Sequence, residues 1–98
     1  MNKILEPSHA GTLESSDVFV RVIPCEEEGI DIELESSVCE IYADAIESLI
    51  METVKAMNVN NIRLIVQDKG ALDYVIKARV QTAILRACGN NEPDWSTL

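Results

Sequence analysis

Residues 18–35, VFVRVIPCEEEGIDIELE, decide the fold class, because they contain two stretches in which apolar and polar side chains alternate. VFVRVI places three valines on one face and ends at Pro24, and IDIELE places three apolar residues opposite three carboxylates. Successive side chains of a strand point to opposite faces, so both stretches predict strands with one buried face. The short acidic connection CEEEG between them predicts that the two strands pair as a hairpin.

Two stretches with helical spacing follow these strands. Ser37 stands three residues before Glu40, which is the spacing of a capping box, and the asparagines within 58–61 predict the end of this first helix. Its buried stripe is predicted to contain Val38, Ile41, Tyr42, Ala45, Ile46, Leu49, Ile50, Val54 and Met57. The second helix is predicted over residues 71–88, before Gly89, with a buried stripe of Leu72, Val75, Ile76, Val80, Ala83, Ile84 and Ala87.

Between the helices, residues 62–67 alternate again and predict a third strand, although Ile65 puts an apolar side chain on its outer face. The order β-β-α-β-α predicts a small α+β single domain, with a three-stranded sheet and two helices on one face. Residues 1–16 carry Pro7, Gly11 and four hydroxyl residues without sustained periodicity, which is typical of a mobile segment. We therefore predict a flexible N-terminal arm at 1–16, an α+β domain at 17–89 and a C-terminal tail at 90–98.

The charge of the chain favours a protein partner. The formal net charge is -9 at pH 7, and 13 of the 17 acidic residues lie in residues 1–52. Such a surface repels the phosphates of nucleic acids and anionic lipids, so we expect no nucleic acid and no membrane as a partner. No apolar run approaches the ~20 residues that span a bilayer, and the three cysteines lie in no metal-ligand spacing. These features predict a cytoplasmic protein.

Sets of residues typical of catalysis are missing from the sequence. His9 is the single histidine, so we expect no Ser-His-Asp triad and no multi-histidine metal site within one chain. It also lies in the predicted arm rather than beside the end of a helix or strand. The four glycines form no phosphate-binding pattern, and residues 26–28, three glutamates, lack the ligand spacing of a calcium loop. Lys77, Arg79 and Arg86 suit either an acidic partner or compensation of the dipole of the second helix. We predict no catalytic residue, no metal and no enzymatic activity.

The hydroxyl residues of the arm offer a different chemistry. A serine without a base is a poor nucleophile, but it accepts a phosphate-linked group when another enzyme supplies the activation. Such an attachment needs an exposed and mobile serine, which favours AGTLESSD, residues 10–17. Ser48, within Glu47-Ser48-Leu49, is the alternative, because ordinary acyl carriers are modified at an Asp-Ser-Leu triplet. Those serines begin a helix, where free amides meet the phosphate, whereas Ser48 falls inside the first predicted helix and is expected to be an outward-facing polar residue.

Two longer motifs carry a family resemblance. AGTLESSDVFVRV, together with VNNIRLIVQDKGALDYVIKAR, resembles the acyl carrier subunit, or gamma chain, of citrate lyase, from Ala10 to the helix that ends near Cys88. The resemblance implies that Ser15 carries a covalent, phosphodiester-linked 2'-(5''-phosphoribosyl)-3'-dephospho-CoA. The family often has glycine after this serine, where Ser16 stands in this chain.

The resemblance also implies a function and partners. Acetyl and citryl thioesters would be held on the prosthetic group while citrate is cleaved to acetate and oxaloacetate, as in citrate fermentation. The partners would be the citrate lyase alpha subunit, an acyl transferase, and the beta subunit, a citryl lyase, together with a prosthetic-group transferase. The carrier itself would catalyse none of these steps.

Other functions stay open from the residues alone. The main alternative is a non-catalytic protein-interaction or regulatory module whose arm is merely disordered. An RNA-binding module is disfavoured by the acidity and by the lack of an aromatic sheet face. A carrier subunit of malonate decarboxylase, which uses the same kind of prosthetic group, is a narrower alternative, although AGTLES favours citrate.

Overall fold

The computed structural model describes Ile4, residues 6–36 and residues 40–89, without the side chains of residues 40 and 41. Its elements are β1 (Ser8–Gly11), β2 (Val18–Pro24), β3 (Gly29–Ser36), α1 (Glu40–Ala56), β4 (Asn61–Asp68) and α2 (Asp73–Ala87). The strands form one four-stranded sheet in the order β1-β2-β4-β3. β1 and β4 each pair with β2 in antiparallel fashion, and β3 pairs with β4 in parallel. The α+β class is therefore correct.

The predicted three-stranded sheet and the predicted hairpin are both wrong. β2 and β3 are not neighbours, because β4 lies between them. β4 carries apolar side chains on both faces, since Ile62, Leu64 and Val66 are buried and Ile65 is half-buried, and such a strand is suited to the centre of a sheet. β3 exposes the carboxylates of its outer face, which is typical of an edge strand. α1 then supplies the crossover that a parallel pair requires.

The strand that the sequence missed is β1, which falls inside the segment 1–16 predicted to be an arm. Four residues with a terminal glycine are too few for a period of two to be visible. Contacts made by distant residues hold this strand instead. Ala10 is buried against the core, the Ser8 hydroxyl donates to the carbonyl of Ala83, and Arg86 Nη1 donates to the His9 carbonyl at 2.9 Å. The mobility of residues 1–16 stays a prediction.

The two helices contact each other and cover one face of the sheet, α2 over β1 and β2 and α1 over β3. The largest fully buried side chains are Ile50, Met57, Ile62, Leu64, Ile76, Ile84, Val18, Val20, Val22, Val54, Val59 and Val66. The predicted stripes are confirmed in most positions, but Tyr42, Ala45 and Leu72 are exposed. The capping box at Ser37, and the side chains of Val38 and Ile41, lie outside the described residues. No helix within the described ranges is both long and apolar enough to cross a membrane.

The β1–β2 and β4–α2 connections and the end of β3 meet at one end of the sheet. The register places Ser36 of β3 opposite Asp68 of β4, and Asp68 opposite Val18 of β2. The buried Asp68 carboxylate organises this end, because it accepts hydrogen bonds from the Ser36 hydroxyl at 2.9 Å and from the amides of Gly70 and Ala71 at 3.2 and 3.0 Å. The β1–β2 turn and the starts of both helices therefore lie at the same end of the molecule.

Candidate functional site

The candidate serine lies in the connection between β1 and β2, residues 12–17, which we call the Ser15 turn. The Asp17 amide donates to the Glu14 carbonyl at 3.2 Å, and this bond closes a four-residue turn with Ser15 and Ser16 at its central positions. Ser15 is exposed. The turn thus presents the Ser15 hydroxyl at the end of the sheet where the connections meet.

Asp17 is the residue that holds the Ser15 turn together. Its Oδ1 accepts hydrogen bonds from the Val18 amide at 2.8 Å and from Arg79 Nε at 3.2 Å. Its Oδ2 accepts from Thr12 Oγ1 at 2.7 Å and from Arg79 Nη2 at 3.1 Å. The Asp17 side chain is only 16% exposed, whereas that of Arg79 is 41% exposed. A bidentate contact of this kind fixes both the distance and the orientation between a carboxylate and a guanidinium.

The ionisation of Asp17 follows from these contacts. Burial on its own would raise the pKa of the Asp17 carboxyl, because it disfavours the charged form. Hydrogen bonds from Thr12, from the Val18 amide and from Arg79, with the charge of Arg79, stabilise the carboxylate and outweigh burial. The net effect is a pKa below the ordinary value for aspartate, so Asp17 is ionised at neutral pH.

The backbone of the turn is fixed on both sides. Gly11 ends β1 with φ +92°, and a Cβ at this position would collide with the carbonyl of Val18 and come within 3.4 Å of Arg79 Cδ. Glycine is therefore required by space as well as by backbone conformation. On the other side, the Ser16 amide donates to the Lys69 carbonyl at 2.9 Å, and the Lys69 amide donates to the Asp17 carbonyl at 3.0 Å. These two bonds continue the β2–β4 ladder into the turn.

Several residues of AGTLESSD besides the candidate serine have a structural role. Ala10 fills the core, Gly11 permits the close approach to β2, and Thr12 donates to Asp17 while accepting the Glu14 amide at 3.2 Å. Sequence reasoning singled out the serine but missed these supports. The hydroxyl-to-acid spacing within the motif was a usable signal for Thr12 and Asp17, whereas nothing local pointed to Arg79, 62 residues farther along the chain.

The other residues considered from the sequence lie elsewhere. Ser48 is exposed in the middle of α1 and, with Asp44, Glu47, Met51 and Glu52, lines a shallow surface pocket. It is outward-facing, as expected, and does not begin the helix. The His9 ring lies on the sheet face with its centroid 5.6 Å from that of Phe19. Arg79, assigned from the sequence to an acidic partner or the helix dipole, pairs with Asp17 of its own chain.

Exposed apolar side chains surround the same end of the molecule. Four large hydrophobic residues are exposed within the described part of the chain, and we call them the apolar rim: Leu13 (56%), Tyr42 (63%), Leu72 (62%) and Tyr74 (71%). Leu13 belongs to the Ser15 turn, Tyr42 to the first turn of α1, and Leu72 and Tyr74 to the start of α2. Every member of the rim therefore lies at the end that presents Ser15.

Comparisons with known proteins agree on the class of protein. A family model described as ACP, malonate decarboxylase delta subunit (MdcD), matches residues 6–87. The citrate lyase acyl carrier protein of Escherichia fergusonii is 45% identical over 96 residues, which cover 98% of this chain and 99% of the relative. Citrate lyase acyl carrier protein 2 of Salmonella typhimurium is 47% identical with the same coverage. A chain of a Pseudomonas malonate decarboxylase hetero-tetramer in complex with malonate shares the fold, with a TM-score of 0.72, 17% identity and 86% of each chain covered.

The relatives match nearly the whole chain, and the family model includes the Ser15 turn and both helices. An acyl carrier protein transports acyl groups rather than catalysing their reactions, and the class implies a covalently attached prosthetic group. The resemblance inferred from the two sequence motifs is confirmed. The chain belongs to the family of citrate lyase acyl carrier proteins.

Proposed function

We propose that this protein is the acyl carrier subunit of a citrate lyase and that the Ser15 hydroxyl is the attachment point of 2'-(5''-phosphoribosyl)-3'-dephospho-CoA. The observation that carries the proposal is the exposure of Ser15 at the centre of a turn whose flanks are fixed by Gly11, Asp17 and Lys69. A serine in this position offers its oxygen to a phosphate-linked group without disturbing the core.

The residues present fit such a group. The backbone bonds of the Ser15 turn involve the amides of Ser16 and Asp17, and the fold uses the side chains of Thr12 and Asp17, so the Ser15 hydroxyl is left for attachment. When bound, the group supplies a thiol that holds an acyl chain as a thioester. The protein's own part is to anchor that thiol on an exposed turn, and a tethered group reaches neighbouring sites at an effective concentration in the millimolar range.

The partners follow from this role. A citrate lyase alpha subunit would exchange the carried acetyl group for citryl and release acetate. A beta subunit would cleave the citryl thioester to oxaloacetate and the acetyl thioester of the carrier, and a prosthetic-group transferase would modify Ser15. The apolar rim offers these proteins a surface beside the serine, because exposed aromatic and aliphatic side chains are common at contact sites. We place the complex in the cytoplasm, where the free thiols of Cys25 and Cys88 would stay reduced.

The test is mass spectrometry of the protein isolated from its natural host. Intact mass should show one large adduct, and peptide mapping should place it on Ser15. The adduct should disappear in Ser15→Ala and persist in Ser16→Ala and Ser48→Ala. These two variants are the matched controls, because they test attachment at Ser16 and at Ser48. An adduct that survives in Ser15→Ala would contradict the assignment.

A carrier role in a malonate decarboxylase is the second candidate, favoured by the family description and by the fold shared with the Pseudomonas hetero-tetramer. Identity weighs against it, because the citrate lyase relatives are 45–47% identical whereas that structure is 17% identical. The modified protein should restore turnover to carrier-depleted citrate lyase and not to carrier-depleted malonate decarboxylase. The opposite result would favour the second candidate.

A further inference from the structure

We propose that the Asp17–Arg79 pair is a positioning device, which holds Ser15 in the conformation that the modifying enzyme accepts. On this view the enzyme recognises a folded turn seated on α2 rather than the linear sequence AGTLESSD. The proposal rests on Ser15 being the attachment site. It adds a role for Arg79, a residue far from the motif in sequence.

The contact between Arg79 and Asp17 has a geometry that can hold the turn in place. Arg79 uses two nitrogen atoms on one carboxylate, Nε to Oδ1 at 3.2 Å and Nη2 to Oδ2 at 3.1 Å. The same carboxylate also accepts the Thr12 hydroxyl and the Val18 amide. Both ends of the Ser15 turn are thereby joined to one point on α2. Arg79 is thus linked, through Asp17, to the Thr12 hydroxyl before Ser15 and to the Val18 amide after it.

Attachment of the prosthetic group depends on where the Ser15 oxygen lies. In the transfer, the Ser15 oxygen forms a bond to phosphorus while the bond between that phosphorus and the leaving group of the activated donor breaks, and the hydroxyl proton passes to a base of the modifying enzyme. The oxygen must lie in line with the breaking bond, and fixing it beforehand removes an entropic barrier. Ser16 has a positive φ of 66°, which side chains rarely adopt without support. A turn released from α2 would populate this conformation for only part of the time. The apparent affinity of the modifying enzyme would then fall by the fraction of competent molecules.

The Asp17–Arg79 pair is expected to affect the conformation of the turn more than the stability of the whole domain. The Arg79 side chain is 41% exposed, and partly solvated ion pairs contribute little to the global stability of a domain. The pair does not lie within the main core, where α2 is anchored by Ile76, Val80 and Ile84. Breaking it should therefore loosen the turn and leave the fold intact.

The first experiment measures the unmodified protein by amide hydrogen exchange. In Asp17→Asn and Arg79→Gln, the amides of Ser16 and Asp17 should exchange at least about tenfold faster, while the amides of β4 keep their protection. Arg86→Gln is the matched control, because Arg86 is also an arginine of α2 but donates to the His9 carbonyl of β1 rather than to Asp17. Unchanged exchange at Ser16 and Asp17 in both test variants would overturn the proposal.

The second experiment measures attachment, with the transferase and its activated donor from the natural host and with intact mass as the readout. Asp17→Asn and Arg79→Gln should raise the KM for the carrier about tenfold with little change in kcat, and Arg79→Lys should recover part of the loss because it keeps the charge. Arg86→Gln should match the wild type in KM, and urea unfolding should show that every variant still folds cooperatively, with only a small loss of stability in Asp17→Asn and Arg79→Gln. Wild-type KM in both test variants would refute the positioning role while leaving Ser15 as the attachment site.

The two proposals fail in distinguishable ways. A wild-type chain that is never modified at Ser15 would overturn the proposed function, and with it the presentation of Ser15. Hydrogen exchange would still decide whether the pair holds the turn. Modification of wild type and variants with equal KM would overturn the positioning role alone.

Discussion

At the scale of single residues, Ser16 and Asp17 determine the conformation of the turn around Ser15. Ser16 lies in the left-handed region, with φ 66°, where a Cβ is unfavourable and glycine is at ease. The family that the sequence resembles often has glycine at this position. The positive φ of Ser16 gives the physical reason, because glycine adopts this conformation without strain. The hydroxyl of Ser16 is therefore incidental to the conformation, whereas the carboxylate of Asp17 is central to it.

We predict that Ser16→Gly stabilises the protein by about 0.5–1 kcal/mol, because it removes the unfavourable left-handed conformation of a residue with a Cβ. Urea unfolding measures the change. Ser48→Gly is the control with the opposite sign, since Ser48 lies in the interior of α1, where glycine costs about 0.5 kcal/mol relative to serine. A Ser16→Gly variant that is less stable than the wild type would contradict the prediction.

A pH dependence follows from the lowered pKa of Asp17. The carboxylate contributes its full stabilisation above the ordinary aspartate pKa of about 3.9, and the contribution is lost as the pH falls through the lower pKa of the folded state. Asp17→Asn should therefore be less stable than the wild type by about 1 kcal/mol at neutral pH, the scale of a hydrogen bond to a charged group that is partly screened by water.

The measurement is urea unfolding of both proteins in parallel from pH 7 down to about pH 2.5, so that the other carboxylates largely cancel. The difference in free energy of unfolding should be constant near neutrality and shrink at acidic pH. A difference that grows on acidification would show that the sign is wrong.

At the scale of elements, β1 illustrates how a short strand depends on its neighbours. Its four residues have little intrinsic preference for a strand, and the strand forms because Ala10 is buried and because α2 bonds to it at Ser8 and His9. Gly11 then lets the chain turn close to the Val18 carbonyl. The edge strand β3 shows the complementary case, since Arg63 of β4 lies 3.6 Å from Asp31 and 3.4 Å from Glu33 and partly offsets their charge.

We predict that Gly11→Ala destabilises the protein by more than about 2 kcal/mol, because the new Cβ forces the β1–β2 connection apart. Gly70→Ala is the matched control, because Gly70 also has a positive φ, 90°, but a Cβ there meets nothing within 4 Å. Thermal or urea unfolding compares the two variants. Equal losses would mean that backbone conformation alone, and not the collision, accounts for the effect.

At the scale of the whole molecule, the topology gathers the Ser15 turn and the apolar rim at one end. β3 and β4 run in parallel, so the chain enters each helix at the end where β2 begins. The core lies between the sheet and the helices, and the Ser15 turn and the apolar rim are exposed beside it. The protein therefore combines a stable body with one exposed surface next to the serine.

We predict that Tyr74→Ser weakens the contact with the modifying enzyme by about five- to tenfold in KM, since a large exposed aromatic residue is typical of contact hot spots. Tyr74 is 71% exposed, so the stability of the free protein should change by less than about 0.5 kcal/mol. Attachment kinetics measure the first effect and urea unfolding the second. Lys55→Ser, at the opposite end of α1, is the control, and an equal loss in both variants would remove the rim from the contact.

The sequence by itself determined what local patterning encodes: two amphipathic helices, three of the strands and an α+β class. The carrier family came from the resemblance of AGTLESSDVFVRV and VNNIRLIVQDKGALDYVIKAR to known sequences, and not from periodicity. Period and motif are visible within ten or twenty residues, so no tertiary information was needed. The same local patterns misled at Tyr42, in the first turn of α1, and at Leu72, just before α2, where helical spacing predicted burial but the side chains are exposed.

Only the tertiary structure decided the central place of β4, the existence of β1 and the pairing of Asp17 with Arg79. Each depends on contacts between residues tens of positions apart, such as the 62 residues between the two members of the pair. Local propensity carries no information on which distant group will satisfy a hydrogen bond or cover an apolar face. The candidate serine could therefore be proposed from the sequence, but the arrangement of the turn around it is a property of the folded chain.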